Sequence, residues 1–121
     1  MPQISVEYSE SLTEVFDRRG FALALHPLAS DLIGSAVPDF KTRFRTTGEE
    51  VIGTGEPGQA MVHVDLAILP GRPDALTTRL AELTLETLCD HLKSDTDQNV
   101  QVTVEVRDIA TYRKRVVPDE N

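Results

Sequence analysis

The stretch that decides the fold is AMVHVDLAIL, residues 60–69. Its side chains alternate in character, and a β-strand places alternate side chains on opposite faces of a sheet. One face would carry Val62, Val64, Leu66 and Ile68, and the other would carry Met61, His63, Asp65 and Ala67. The sequence therefore predicts a half-buried strand.

The same period of two occurs in three other segments. Residues 3–8 alternate Ile4, Val6 and Tyr8 with polar neighbours, and in residues 100–107 four valines alternate with polar side chains. Residues 40–45 place two phenylalanines and a threonine opposite Lys41, Arg43 and Arg45. These patterns predict three further strands, and the strand at residues 40–45 has a basic face.

A helix is predicted between the first two strands. Ser11 and Glu14 have the spacing of a capping box at a helix start. An apolar stripe then continues at helical period to about Ile33, through Phe21, Leu25, Leu28 and Leu32. Because Gly20 and Pro27 interrupt this stripe, we expect two pieces or a kink.

A second helix is predicted after residues 60–69. Pro73 suits its first turn, and the helix should reach about Leu92 with Leu76, Leu80, Leu83 and Leu88 on its buried face. The glycine-rich residues 46–59 indicate a loop. Residues 109–121 have no core pattern, so we expect this tail to dock on a neighbouring subunit or to remain mobile.

The order of elements is strand, helix, strand, repeated once. Residues 4–8 correspond in kind to residues 62–66, which indicates two pseudo-symmetric βαβ units. We predict an α/β (α+β) fold with a four-stranded mixed sheet and both helices on one face, since such crossovers are right-handed. It forms one domain, 1–121: half one about 2–45, loop about 46–59, half two about 60–108, and tail 109–121. Partner subunits would cover the other face of the sheet.

The charge balance excludes one class of function. Twenty acidic residues against twelve basic ones give a net charge of −8. A nucleic-acid partner held by broad basic patches is therefore not expected. Any anionic ligand would have to be held by a few locally placed arginines, so the positions of those arginines are informative.

The sequence also bears on location. No stretch approaches the roughly 18 consecutive apolar residues typical of a membrane span. The opening residues lack the basic and apolar regions of a signal peptide. Cys89 is the only cysteine, which excludes an intrachain disulfide and agrees with a reducing compartment. We expect a cytoplasmic protein without a membrane partner, with Cys89 packed inertly in the core.

Pro2 is the candidate catalytic residue. Once Met1 is removed, its secondary amine can accept and return a proton, provided that the pKa of the amine is brought towards neutrality. Burial and nearby cations would both lower that pKa. Arg43, on the basic strand, and Arg72, between the third strand and the second helix, have a suitable context for gripping carboxylates. The alternative is that both arginines form surface ion pairs.

Other polar residues are weaker candidates. His63 and Asp65 share a strand face, but two ligands do not make a metal site, and a hydrogen bond at a subunit interface is the favoured interpretation. Tyr8 belongs to the alternating apolar set and is expected in the core. Tyr112 is left as a residue that could border a pocket.

Three motifs in chain order carry a resemblance to a known family: Met1-Pro2-x-Ile4-x-Val6-Glu7, Arg43-Phe44-Arg45, and Val62-His63-Val64-Asp65-Leu66 followed by Gly71-Arg72. They resemble the 5-carboxymethyl-2-hydroxymuconate isomerases of the tautomerase superfamily. The resemblance implies a homotrimer of two-βαβ subunits in which Pro2 is the general base. Arg43 and Arg72 would bind substrate carboxylates and polarise the conjugated system, with Arg45 as a further substrate-binding candidate.

The implied reaction moves a proton within an unsaturated di- or tricarboxylate, converting a dienol to a conjugated ketone without a metal or an organic cofactor. The setting would be breakdown of an aromatic compound such as homoprotocatechuate. This chain departs from the family pattern in having no tryptophan, in Thr46 and Thr47 after Arg45, and in an acidic loop with Glu49, Glu50 and Glu56. These departures leave the particular substrate open.

Two alternatives remain. One is a related proline-dependent decarboxylase or hydratase acting on unsaturated acids, because a fold does not fix a reaction. The other is a non-catalytic ligand-binding or interaction module on the same scaffold. Met1 discriminates catalysis from the latter, since with Met1 retained the nitrogen of Pro2 is an amide without an available lone pair.

Overall fold

A computed structural model of the chain describes residues 1–93 and 95–118. Its strands are β1 (Gln3–Tyr8), β2 (Lys41–Thr46), β3 (Gln59–Ile68) and β4 (Asn99–Asp108). Its α-helices are α1 (Arg18–Ile33) and α2 (Asp74–Cys89), and short 3₁₀ turns span Glu10–Leu12 and Val37–Asp39. The last three residues of the predicted tail, 119–121, lie outside the described part of the chain.

The four strands form one mixed sheet in the order β2-β1-β3-β4. β1 pairs with β2 in parallel and with β3 antiparallel, and β3 pairs with β4 in parallel. Each parallel pair is joined through one helix, which confirms the predicted sheet and its two βαβ units. β1 is therefore an interior strand, in which Gln3 lies between Lys41 and Ala67.

Both helices pack on the same face of this sheet. Ile4 and Val64 point into a single apolar cluster that also holds Phe21 and Leu25 from α1 and Leu80 from α2. The alternating strands thus bury one side against the helices, as predicted, and removal of this apolar area from water drives the packing. None of the helices in the described residues combines the length and the apolar character that a membrane crossing requires.

The predicted start of the first helix is wrong. Ser11 donates a hydrogen bond to Gln98 Oε1, and α1 begins seven residues later at Arg18 with Asp17 as its N-cap. The Asp17 carboxylate accepts from the N–H of Gly20 at 3.0 Å, and a Cβ on Gly20 would lie 2.1 Å from Asp17 Oδ2. Gly20 therefore belongs to the helix start and does not interrupt the helix.

The segment before α1 is used for another contact. Phe16 forms an isolated antiparallel bridge with Leu92, and the Asp17 N–H donates to His91 O at 2.9 Å. This bridge ties the entrance of α1 to the exit of α2. The backbone of Phe16 pairs across the chain and is therefore not part of a helix, so the helix cannot start at Ser11.

The predicted break at Pro27 is also wrong, because α1 is one continuous helix. Pro27 and Leu28 both lie on its exposed side, so the carbonyl that Pro27 leaves without an N–H donor can face water. The buried face consists of Phe21, Leu25, Ala29 and Ile33. Gly34 ends the helix with a φ of 80°, a left-handed conformation that favours glycine.

An aromatic group fills the core near the bridge. Phe16 lies edge-on to Tyr8 and Phe44, with ring centroids 5.6 and 6.0 Å away. Phe21, which has no exposed surface, lies 6.2 Å from Phe16 and 6.4 Å from Phe44. Phe21 thus joins α1 to the edge strand β2 through side-chain packing.

Replacement of Phe21 by alanine should lower the free energy of unfolding by about 3–5 kcal/mol, because it leaves a cavity among the aromatic rings. Leu23→Ala is the matched control: this side chain on the same helix is 58% exposed, and its loss should cost about 0.5 kcal/mol or less. Urea unfolding at equal protein concentration measures both. Equal losses would contradict the assignment of Phe21 to the core.

His26 lies at the contact between α1 and β2. Its Nε2 atom is 2.7 Å from Thr42 Oγ1, and its ring centroid is 5.3 Å from that of Phe40. Burial at this contact lowers the pKa of His26 below its ordinary value. The folded protein therefore resists protonation of this ring.

As the pH falls below about 6.5, the unfolded chain should protonate at His26 before the folded chain does. The free energy of unfolding then decreases with decreasing pH, since the unfolded state binds more protons. His26→Gln should show a smaller loss of thermal stability than the wild type between pH 7.5 and pH 5.5. A parallel loss in the two proteins would show that His26 does not titrate in this way.

Candidate active site

The site predicted around Pro2 lies at one end of the sheet, where β1 and β2 begin and β3 and β4 end. Met1 and Pro2 are both buried there, with Met1 only 8% exposed. The Pro2 carbonyl accepts a hydrogen bond from the Lys41 N–H at 3.3 Å. Sheet pairing on both sides of β1 thus holds the amino-terminal residues in place.

Five residues form what we call the amino-terminal cluster: Met1, Asp39, Lys41, Tyr112 and Lys114. The amino group of Met1 donates to Asp39 O and to Tyr112 Oη, at 3.4 Å in each case. Lys41 Nζ donates to the same carbonyl, Asp39 O, at 2.9 Å. Lys114 Nζ donates to the Asp39 carboxylate at 2.8 Å. Asp39 therefore connects two ammonium side chains to the start of the chain.

The electrostatics of the cluster disfavour a protonated amine. Burial lowers the pKa of the Met1 amino group below its ordinary value; the charges of Lys41 and Lys114 lower it further, while Asp39 opposes them. The hydrogen bond and the charge of Lys114 hold the pKa of the Asp39 carboxyl below its ordinary value. An amine at this position is thus biased towards its neutral form, which is the form that accepts a proton.

Arg43 and Arg45 lie on the face of the sheet opposite the helices. Arg43 Nη2 donates to Gln3 Oε1 at 2.6 Å, and its Nη1 donates to Ser5 Oγ at 3.4 Å. Arg43 is therefore bonded to the residue that follows Pro2. Arg45 pairs in register with Glu7, five residues along β1 from Pro2, so the separation along the strand is about 16 Å.

Arg72 lies at the same end of the sheet as Pro2. Its Nη1 donates to Leu69 O at 2.9 Å, and its Nη2 donates to Ile33 O at 3.1 Å. The side chain thus joins the end of β3 to the last turn of α1. In this arrangement two of its nitrogens are bonded to backbone carbonyls.

Asp39, Lys41 and Lys114 were not predicted as site residues. The tail was expected to dock on a neighbour or to remain mobile, whereas Ile109 continues the pairing with Ile68 at 2.8 Å, and Tyr112 and Lys114 reach the chain's own amino terminus. Lys41 was visible as part of a basic strand face. Lys114 is 75 positions from Asp39, and no local pattern could have joined them.

The remaining candidates have partners elsewhere. His63 Nδ1 is 2.7 Å from Thr103 Oγ1, and Asp65 accepts from Arg107 Nε at 3.0 and 3.1 Å, so both contact β4 of the same chain. Within residues 1–93 and 95–118, no group of three His, Cys, Asp or Glu side chains could hold a metal ion. Cys89 is exposed, which corrects the expectation of a core position, because it follows the buried residue Leu88 on α2 and faces outward.

The fold is shared with known structures. A 5-carboxymethyl-2-hydroxymuconate isomerase from Deinococcus radiodurans R1 is 21% identical, covers 93% of this chain and 88% of its own, and has a TM-score of 0.76. A 5-carboxymethyl-2-hydroxymuconate delta-isomerase is 18% identical over 96% and 88%, with a TM-score of 0.79. A symmetric trimer of wild-type fused 4-OT, designated Q0, is 22% identical over 97% and 93%, with a TM-score of 0.72.

Similar structures also carry other activities. One is a member of the cis-3-chloroacrylic acid dehalogenase family, with 19% identity over 97% of this chain and 84% of its own and a TM-score of 0.68. Another is a malonate semialdehyde decarboxylase inhibited by 3-bromopropiolate, with 16% identity over 88% and 83% and a TM-score of 0.57. The sequence matches no protein-family model and no curated protein. At these identities the likeness establishes the fold, which confirms the expected tautomerase-like architecture.

Proposed function

We propose that this chain is an isomerase of the tautomerase superfamily that moves a proton within an unsaturated 2-hydroxy di- or tricarboxylate, such as 5-carboxymethyl-2-hydroxymuconate. Pro2 is its general base once Met1 has been removed. The observation that carries the proposal is that the start of the chain is buried beside Lys41 and Lys114, where burial and these charges lower the pKa of the Met1 amino group. We expect the same surroundings to lower the pKa of the adjacent Pro2 amine once Met1 is removed. The fold shared with two isomerases of this kind supports it.

The chemistry requires only a neutral amine and fixed charges. The nitrogen of Pro2 takes the proton from the 2-hydroxyl group, the C–O bond becomes a carbonyl, and the double bonds shift along the chain. The distal carbon then takes the same proton back from the Pro2 ammonium. The reaction involves no net oxidation, so the proposal includes no metal and no organic cofactor.

Arg72 and Arg43 are proposed to bind the substrate carboxylates and to stabilise the charge that develops on the oxygen. Support for Arg72 is its position at the same end of the sheet as Pro2, and support for Arg43 is its bond to the neighbouring Gln3. Arg45 lies further along the strand, so its proposed role is restricted to a substrate bound by an adjacent subunit. A homotrimer would supply such a subunit, and the Q0 structure is a trimer with this fold.

The direct test compares two preparations with the same sequence, one retaining Met1 and one beginning at Pro2, as verified by intact mass. The Pro2 form should ketonise 2-hydroxymuconate, while the Met1 form should lose about 10²–10⁴-fold in kcat/KM, because an amide nitrogen cannot serve as a base. Equal rates in the two preparations would exclude Pro2 as the base. Carbon dioxide release from an unsaturated acid, with little ketonisation, would replace the isomerase with the decarboxylase alternative.

A labelling experiment tests for a neutral amine at Pro2 independently of the isomerase reaction. 3-Bromopropiolate is an electrophile that adds to a neutral amine, and mass spectrometry should find it on Pro2 in the Pro2 form alone. Labelling of Pro2 without turnover of any dienol would keep the reactive amine and overturn the isomerase assignment. Absence of both would favour the non-catalytic module.

Arg72→Ala should raise KM for 2-hydroxymuconate about tenfold or more, the scale expected for loss of a hydrogen bond to a charged group. Arg79→Ala is the matched control, because Arg79 lies exposed on α2 beside Glu82. Thermal unfolding must accompany the kinetics, since Arg72 also contacts the end of α1. Unchanged kinetics in a folded Arg72→Ala protein would remove Arg72 from the site.

A further inference from the structure

A groove lies between α1 and the outer edge of β2, and the proposed reaction does not use it. What we call the α1–β2 groove is lined chiefly by Arg18, Arg19, Leu23, His26, Thr42 and Phe44. Its volume is about 570 Å³, which is within the usual range for a small-molecule site. No residue of the amino-terminal cluster lines it, so the groove is separate from the site around Pro2.

The walls of the groove are largely apolar. Phe44 is half-buried on the helix-facing side of β2, and its ring lies 6.0 Å from the buried ring of Phe16. On α1, Leu23 is 58% exposed, while Ala22 contributes only a methyl group and so leaves the groove wide. An aromatic ring bound here would remove the exposed surface of Leu23 and Phe44 from water, which favours binding.

One end of the groove is positively charged. Arg18 and Arg19 lie there, at the start of α1, and within the described residues Arg19 makes no hydrogen bond or ion pair. Arg18 donates through Nη1 to Thr13 O at 3.1 Å. The Asp17 carboxylate opposes the two guanidinium groups, but a net positive charge remains. This end therefore suits the carboxylate group of a ligand.

A hydrogen-bonded pair of side chains lies further along the groove. His26 Nε2 and Thr42 Oγ1 are 2.7 Å apart. At about 1.5 Å per residue, His26 is separated from Arg19 by roughly 10 Å along the helix. A hydroxyl group can donate one hydrogen bond and accept others, so Thr42 Oγ1 can bond to a ligand hydroxyl as well as to His26.

The charges favour an anionic ligand over pairing of two copies through this edge. β2 is the first strand in the sheet order, so its outer edge pairs with no strand of the described residues. Such an edge can accept a strand from another chain. However, β2 carries Lys41, Arg43 and Arg45, and pairing of β2 with β2 of a second copy would bring like charges together.

We propose that the α1–β2 groove binds an aromatic monocarboxylate that carries a hydroxyl group at the end opposite its carboxylate. The two arginines bind the carboxylate, the apolar walls pack on the ring, and Thr42 Oγ1 bonds to the hydroxyl group. This site goes beyond the proposed function, because it lies apart from Pro2 and does not depend on removal of Met1.

The binding test uses 6-hydroxy-2-naphthoate and the uncharged 6-hydroxy-2-naphthamide, which has the same shape. Calorimetry on the full chain should detect the acid, with at least tenfold weaker binding of the amide. Arg19→Gln should weaken binding of the acid at least tenfold, with thermal unfolding as the check on folding. Arg79→Gln, at an exposed position of α2, is the matched control and should bind as the wild type does. Equal binding of acid and amide, or wild-type affinity in Arg19→Gln, would overturn the proposal.

A variant that fills the groove tests the location. Ala22→Phe should abolish binding of the acid, whereas Ala75→Phe, at an exposed position of α2, should leave it unchanged. Thr42→Val should remove the advantage of about fivefold that we expect 6-hydroxy-2-naphthoate to have over 2-naphthoate. If Ala22→Phe does not fold, NMR of the wild type replaces it, and the acid should shift the methyl signals of Ala22 and Leu23. Unchanged binding in folded Ala22→Phe, or unshifted methyl signals, would place the acid outside the groove.

Two comparisons distinguish this site from the proposed active site and from a contact between copies. The binding that depends on Arg19 should be equal in the form that retains Met1 and in the form that begins at Pro2. Binding only to the Pro2 form would place the acid beside Pro2 and overturn the proposal. Affinity that falls as copies associate, followed by light scattering, would show that a second copy covers the groove and would also overturn it. Neither result depends on turnover of a dienol.

Discussion

Hydrogen bonding of β1 on both of its edges is the constraint on which the site depends. Gln3 lies between Lys41 and Ala67, so the start of the chain is an interior position of the sheet and not a loose end. Pro2 then has its carbonyl bound by the Lys41 backbone, and little freedom remains for the residue before it. Strand pairing can therefore position a backbone nitrogen at the start of the chain without help from any side chain.

The electrostatic character of the site comes from the side chains that lie together at that end of the sheet. The Val37–Asp39 turn delivers Asp39, the first residue of β2 delivers Lys41, and the extension beyond β4 delivers Tyr112 and Lys114. Their electrostatic effect on the amino terminus is a local one, because the chain as a whole is acidic and carries a net charge of −8. Burial and the two lysines both lower the pKa of the Met1 amino group and so favour its neutral form, which is the form that can accept a proton.

A different tertiary contact explains where the first helix begins. The spacing of Ser11 and Glu14 is a local signal for a helix start. Because the backbone of Phe16 pairs with Leu92 instead, the helix begins only after its N-cap, Asp17. Pro27 illustrates the converse, because its cost in a helix depends on which side it faces, and here that side is exposed. A tertiary contact decided the first outcome and solvent exposure decided the second, whereas the residue types alone decided neither.

By itself the sequence determined the four strands, the two helices, their order and the face that each strand buries. The physical reason is that the repeat of two residues in a strand and of 3.6 residues in a helix is local and appears directly in the spacing of apolar residues. It also singled out Pro2 as a candidate base and placed Arg72 in the turn that follows β3. Only the tertiary structure decided that Asp39, Lys41, Tyr112 and Lys114 surround the amino terminus while Arg43 bonds to Gln3 and Ser5. The physical reason is that charges act through space, and strand pairing brings together side chains whose separation along the chain leaves no periodic signal.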